Sequence, residues 1–187
     1  MSDKIRCGWC VGDALYEKYH DEEWGKPVHD DDKLFEFLLL ETFQAGLSWI
    51  TILRKRVNFA NAFDNFDYKK IAAYEDDKIA SLMQDQGIIR NRLKVLSAIS
   101  NAQAFMKIQE EFGSFSNYYW NFTGTEIIDN HPQVLRDIPA TSPLSDTISK
   151  DMKKRGFKFV GSTVMYANMQ ATGMVNDHVA DCWTRTT

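Results

Sequence analysis

The sequence predicts an all-α fold, and three observations carry that prediction. Apolar residues recur at helical spacing over long stretches, above all from Ile88 to Phe112. Helix starts and stops punctuate those stretches, with Asp13, Asp30 to Asp32, Ser48, Asp67, Asp76 and Ser142 or Ser145 as openings and Gly46, Gly87 and Gly113 as ends. Strand-like alternation is almost absent. A chain of 187 residues buries a proper core without a metal or disulfide for size alone, so 1–187 reads as one helical domain with room for two lobes.

Charge and composition narrow the function classes. With 22 basic against 26 acidic side chains there is no global field to draw the protein onto nucleic acid or anionic lipid, so any DNA contact needs a local patch. Three cysteines behind a polar N-terminus argue for reduced thiols and a cytoplasmic protein. No run approaches a membrane span. We expect no membrane partner, no nucleotide cofactor and a monomer.

Residues 1–29 read as an irregular aromatic arm in which Asp13 caps a short helix. Tyr16 and Tyr19 share one face of that helix, with His20 beside them. The next helix, from Asp30–Asp32, holds the most unusual residue of the chain. Glu41 lies one turn beyond Phe37 and Leu38 and two turns beyond Leu34, so a carboxylate sits on a face that should be buried. It must find donors or hold a proton. An internal salt bridge or backbone N–H bonds would explain it; so would a functional pocket. Gln44, Ala45 and Gly46 stop the helix, Ser48 caps the next and Trp49 opens it, which makes an elbow with an acid and an indole inside. The trio Arg54, Lys55 and Arg56 reads as a solvated face in preference to a phosphate contact. Arg90 and Arg92 stand at the start of the longest helix, the unfavourable end for cations, which hints at an external acidic partner.

Two further constellations carry chemistry. Gly156 to Gly161 joins two helices in a helix-hairpin-helix element over about 145–172, where glycines let backbone approach a phosphate and the N–H groups of Ser162 and Thr163 can bind it. Lys153, Lys154, Arg155 and Lys158 supply the local positive patch. At the chain's two ends, Cys7, His20, His178 and Cys182 form a tetrahedral Cys2His2 set, with His178 and Cys182 facing one ion if that stretch is helical. Cys7 and Cys10 make a competing pair, and buried unliganded thiols are the alternative. His29 and His131 read as loop and turn residues.

Together these residues resemble the bacterial DNA-3-methyladenine glycosylase I family, within the helix-hairpin-helix glycosylases. The matching pieces are Arg6 to Trp9, Leu15 with Tyr16, Tyr19 to Asp21, Glu23 to Gly25, Leu40 to Ile50, Gly87 to Arg90, Lys153 to Gly161, and Val175 to His178 with Cys182. They span nearly the whole chain. The resemblance implies a structural zinc on Cys7, His20, His178 and Cys182, tying the arm to the C-terminus. It also implies a base pocket built from Glu41 with Trp9, Tyr16, Tyr19 and Trp49.

The expected activity is that of a monofunctional glycosylase, which flips 3-methyladenine out of alkylated double-stranded DNA and hydrolyses its N-glycosidic bond. Glu41 is the expected catalytic group. Gln44, Gly46 and Leu47 are expected to enter the gap left by the base while Lys158, Gly161, Ser162 and Thr163 grip the backbone. No lysine suggests itself for Schiff-base chemistry, and Asp177 and Asp181 receive no catalytic role. The rival readings are a zinc-stapled module that binds damage without excision and a nucleosidase acting on free nucleosides.

Overall fold

The computed structural model describes residues 4–185, and its regular structure is almost entirely helical. In the N-terminal arm, the Asp13 carboxylate caps α1 (Ala14–Glu22) by accepting from the amides of Leu15 and Tyr16. Asp30 likewise caps α2 (Asp31–Gln44), and α3 (Trp49–Ala62) follows after a short turn. Asp67 caps the single turn of α4 (Tyr68–Ile71), and α5 (Asp76–Gln84) leads to the long α6 (Arg92–Phe112) and to α7 (Phe115–Asn121). The series ends with α8 (Pro143–Lys154), which Ser142 caps while Ser145 reciprocates, and α9 (Ser162–Ala171).

Two caps depart from expectation. Ser48 has the N-cap backbone, but its hydroxyl bonds the Thr51 hydroxyl at 2.8 Å instead of an amide. Glu75, one residue before Asp76, is the N-cap of α5. The sequence also conceals a small parallel sheet: β1 (Ile128–Asp129) pairs with β2 (Val175–Asn176), Ile128 opposite Val175. Two residues per strand are too few for alternation to register.

The central element is α2, which packs against α3, α6, α7 and α9. Its Phe35, Phe37 and Phe43 join Phe59, Phe63, Phe105 and Phe115 in a single connected core. Each such ring contributes about 1.5–3 kcal/mol by leaving water. The arm is pinned to the end of α9, where the N–H groups of Gly25 and Val28 donate to the carbonyls of Gln170 and Thr172, each at 3.0 Å. Gly173 makes this possible. Its φ is +71°, and a β-carbon there would lie 2.3 Å from the carbonyl carbon of Lys26.

The basic trio on α3 is a solvated face only at Arg54, which is exposed, and all three cations are engaged within the protein. Arg54 pairs with Asp13, Arg56 with Glu23 and Glu36, and the Lys55 ammonium donates to the carbonyls of Gln86 and Gly87. These cations bind α3 to the arm, to α2 and to the turn before α6.

Candidate active site

Glu41 lies in the last full turn of α2 and is 3% exposed. Just beyond it the helix stops: the Leu47 N–H closes on the Gln44 carbonyl at 2.6 Å and Gly46 takes a φ of +81°, a left-handed turn that suits glycine. Trp49 then opens α3. From α6, the buried Lys94 ammonium donates to the carbonyls of Phe43 (2.8 Å) and Ala45 (2.6 Å), satisfying orphan groups at the end of α2. The elbow is therefore braced from behind.

In front of it is a cavity of about 350 Å³ whose walls include Glu41, Gln44, Trp9, Tyr16, Tyr19 and Trp49, the acid and all the expected aromatics. Trp9 stands edge-on to Tyr16 at 4.8 Å between centroids and to Trp24 at 5.0 Å, and Tyr19 lies 5.4 Å from Trp49. Two polar atoms of this wall are buried without a partner, Glu41 Oε2 and Trp49 Nε1. Burial pushes the Glu41 carboxyl up to about 8. The same burial holds the Tyr19 phenol well above its ordinary value. The site can accept a flat ring that brings a donor to the carboxylate and an acceptor to the indole N–H.

Behind Trp9 and Trp24 the two ends of the chain meet. The donor atoms of Cys7, His20, His178 and Cys182 all lie within 4.8 Å of one another, and all four residues are buried. Cys182 Sγ is 3.4 Å from His20 Nε2 and 3.5 Å from His178 Nδ1, which is 3.7 Å from Cys7 Sγ. The far nitrogen of each imidazole is held, His20 Nδ1 at 2.9 Å from Asp21 and His178 Nε2 at 3.3 Å from the Trp24 carbonyl. Such a cluster could hold a metal ion. Cys10 stays outside it, its thiol donating to the Cys7 carbonyl at 3.1 Å. The stretch from His178 to Cys182 is not helical as the i, i+4 spacing assumed; a turn closed by Cys182 N–H on the Val179 carbonyl brings the pair together.

The turn between α8 and α9 carries the remaining candidates. Lys158 and Thr163 are exposed, and a β-carbon on Gly161 would meet nothing within 4 Å, so this stretch of backbone is open. Gly156 has a left-handed φ of +98°, whereas Gly161 does not. The Ser162 hydroxyl is bonded to that of Ser145 at 2.8 Å, so of the two groups only its backbone N–H remains a candidate for phosphate. Arg155 is withdrawn from the basic patch by ion pairs with Glu111 and Asp151. On α6, Asn101 bonds both the N–H and the carbonyl of Lys158, at 2.8 and 3.1 Å. Lys94 and Asn101 are two turns apart on that helix, about 10 Å along its axis. One rigid element thus carries both the elbow and the turn.

Residues 9–186 match the family model described as methyladenine glycosylase. The chain belongs to that family. It is 47% identical over 182 residues to DNA-3-methyladenine glycosylase 1 of Escherichia coli K12, covering 95% of each chain. It is 45% identical to DNA-3-methyladenine glycosylase of Haemophilus influenzae, with 95% of this chain and 96% of that protein covered. Among solved structures, a crystal structure of 3-methyladenine DNA glycosylase I superposes with a TM-score of 0.95 at 45% identity, covering 97% of this chain and 100% of the other. A Staphylococcus aureus glycosylase I structure concerned with 3-methyladenine recognition superposes at 0.94 with 33% identity and 97% of both chains covered.

In this methyladenine glycosylase the pocket has walls that the sequence did not suggest. Trp24, Gln170, Ala167, Leu135 and Ile138 also line it. Trp24 had a signal, since it stands in the aromatic arm between Glu23 and Gly25. Gln170 had none. Of the two acids near the C-terminus, Asp181 is exposed, while Asp177 is buried and accepts from Asn130, Tyr166 and Gln170.

Proposed function

We propose that this chain is a monofunctional DNA-3-methyladenine glycosylase, which hydrolyses the N-glycosidic bond of 3-methyladenine in alkylated DNA as a step of base excision repair. The observation that carries the reading is the partnerless Glu41 oxygen inside an aromatic-walled cavity of about 350 Å³. A nucleotide alkylated at N3 is cationic. At about 4 Å and an effective dielectric of about 20, a carboxylate and a cation attract by about 4 kcal/mol, of which about 1.4 kcal/mol is needed at pH 7 to release the proton that burial holds on Glu41, leaving roughly a hundredfold preference over a neutral base. Trp9, Tyr16, Tyr19 and Trp49 stack around the same cation.

The damaged base must leave the duplex before it can enter. Gln44, which lines the cavity, leads to Gly46 and Leu47 in the elbow turn, with Leu47 41% exposed, and these three take the place of the extruded base. The helix-hairpin-helix turn holds the backbone through Lys158, the open chain at Gly161 and the N–H groups of Ser162 and Thr163. Because the cationic base is already a good leaving group, Glu41 acts by charge: it binds the base edge and stabilises positive charge developing on the sugar. The cavity lining contains no lysine among the described residues, so the product is an abasic site in an intact strand.

The test is a product assay on methylated duplex. Free 3-methyladenine is expected, with release falling by at least a hundredfold in Glu41→Ala and Trp49→Ala. Retention of the duplex without release of base supports the binding module instead, and unchanged release in both variants rejects the pocket.

A structural zinc on Cys7, His20, His178 and Cys182 completes the reading. Zinc bonds of about 2.3 Å to sulfur and about 2.0 Å to nitrogen, at tetrahedral angles, set sulfur and nitrogen donors about 3.5 Å apart. The separations of 3.4, 3.5 and 3.7 Å fit that spacing. Four protein donors leave no open position, so the ion would fasten the aromatic arm beneath the pocket. Elemental analysis of the purified protein should find about one zinc per chain, lost in His178→Ala together with thermal stability; a metal-free wild-type protein of full stability would remove it.

A further inference from the structure

The mechanism above makes no use of Gln170, which lines the cavity on the side of α9. Its side chain is not free to turn. The amide nitrogen donates to Asp177 Oδ2 at 2.8 Å, and Asp177 is 1% exposed. The same oxygen accepts from the Tyr166 hydroxyl at 2.7 Å, and Oδ1 accepts from the Asn130 amide at 2.8 Å. Burial and the adjoining carboxylate keep the Tyr166 phenol protonated, so it donates. A carboxylate surrounded by donors accepts only, and turning the Gln170 amide over would set oxygen against oxygen. The main chain is fixed too, since the Gln170 carbonyl accepts the Gly25 N–H at 3.0 Å. With its nitrogen committed to Asp177, Gln170 has its amide oxygen left as an acceptor, and Ala167, one turn earlier in the lining, leaves room beside it.

We infer that Gln170 is a specificity-determining residue, whose amide oxygen, oriented by Asp177, accepts a hydrogen bond from the exocyclic amino group of the bound adenine and disfavours guanine. The inference rests on the proposed base pocket and adds to it. Positive charge alone, read by Glu41 and the rings, does not distinguish adenine from guanine alkylated at the same nitrogen. The two differ in what they carry at position 6, an amino donor in adenine and a carbonyl acceptor in guanine. An acceptor that cannot reorient welcomes the first and is left facing an oxygen by the second. Asp177 is then a positioning residue, acting through Gln170 without touching the base.

The test measures a ratio, which a purely structural defect leaves alone. Wild type, Gln170→Leu, Gln170→Met and Asp177→Asn are incubated with methylated DNA, and released 3-methyladenine and 3-methylguanine are resolved. The same proteins are titrated with each free base, following quenching of tryptophan fluorescence. Both Gln170 variants should lower the preference for adenine over guanine by about tenfold, chiefly by losing adenine. Asp177→Asn, which lets the amide turn, should shift the ratio the same way by a smaller factor. An unchanged ratio in both Gln170 variants, in release and in binding, overturns the inference while leaving the glycosylase standing. If the wild type releases no base at all, the glycosylase reading falls, and the free-base titrations still decide whether Gln170 discriminates.

Discussion

Glu41 and Asp177 are both buried carboxylic acids, and the chain treats them in opposite ways. Asp177 is met by three donors, a phenol, and two amides, on its two oxygens. Glu41 has an oxygen with no partner, in a cavity lined by aromatic rings, aliphatic side chains and the amides of Gln44 and Gln170. Asp177 is complete without a ligand, so its role is to hold other groups. Glu41 is incomplete, and the native state carries the cost of its desolvation until something arrives. Burial of an acid is thus no guide to function by itself; the count of its donors is.

The contrast is broken most forcefully by removing Asp177. Asp177→Ala leaves the buried Tyr166 hydroxyl and the half-buried Gln170 amide without their acceptor, while the exposed Asn130 amide keeps its bond to the Tyr166 oxygen. Unsatisfied buried donors cost about 1–3 kcal/mol each, so the loss from these two should be on the order of 3 kcal/mol. Urea denaturation at neutral pH measures it. A loss below about 1 kcal/mol would mean that these two donors find other partners and that Asp177 is not the fixed point it resembles.

Much of this was legible in the chain before folding. The capped, periodic helices follow from local chemistry, and Glu41 betrayed itself by standing on the apolar face defined by Leu34, Phe37 and Leu38. What failed to show depends on partners distant in sequence. Arg56 reads as a surface cation until Glu23 and Glu36, 33 and 20 residues away, are folded against it. Arg155 is likewise spent on Glu111, 44 residues earlier. Gln170 has no local pattern because its meaning lies in Asp177, Asn130 and Tyr166, which the β1–β2 pairing and α9 bring together. The metal set lies between these cases: the donor types were visible at the two ends of the chain, but nothing local could bring Cys7 within 3.7 Å of His178, 171 residues on.

The contrast is sharpened by a smaller change at Glu41. Burial raises its folded-state value to about 8, against about 4.3 in an unfolded chain. Between those values the folded protein keeps a proton that the unfolded chain has released, so the contribution of this group to stability declines as pH rises, and it levels off above about 8. Glu41→Gln keeps the shape and removes the titration. At pH 4.5 the variant should match wild type; by pH 8 it should be the more stable of the two, by about 3 kcal/mol, discounted from the full linkage value because water reaches the cavity. Thermal melts across that range read the sign directly. A variant less stable than wild type at pH 8 would reveal a hidden donor to the carboxylate and make Glu41 a second Asp177. A more stable protein with lost base release is the expected result, since the same unpaired oxygen that weakens the empty pocket is what draws a cation into it.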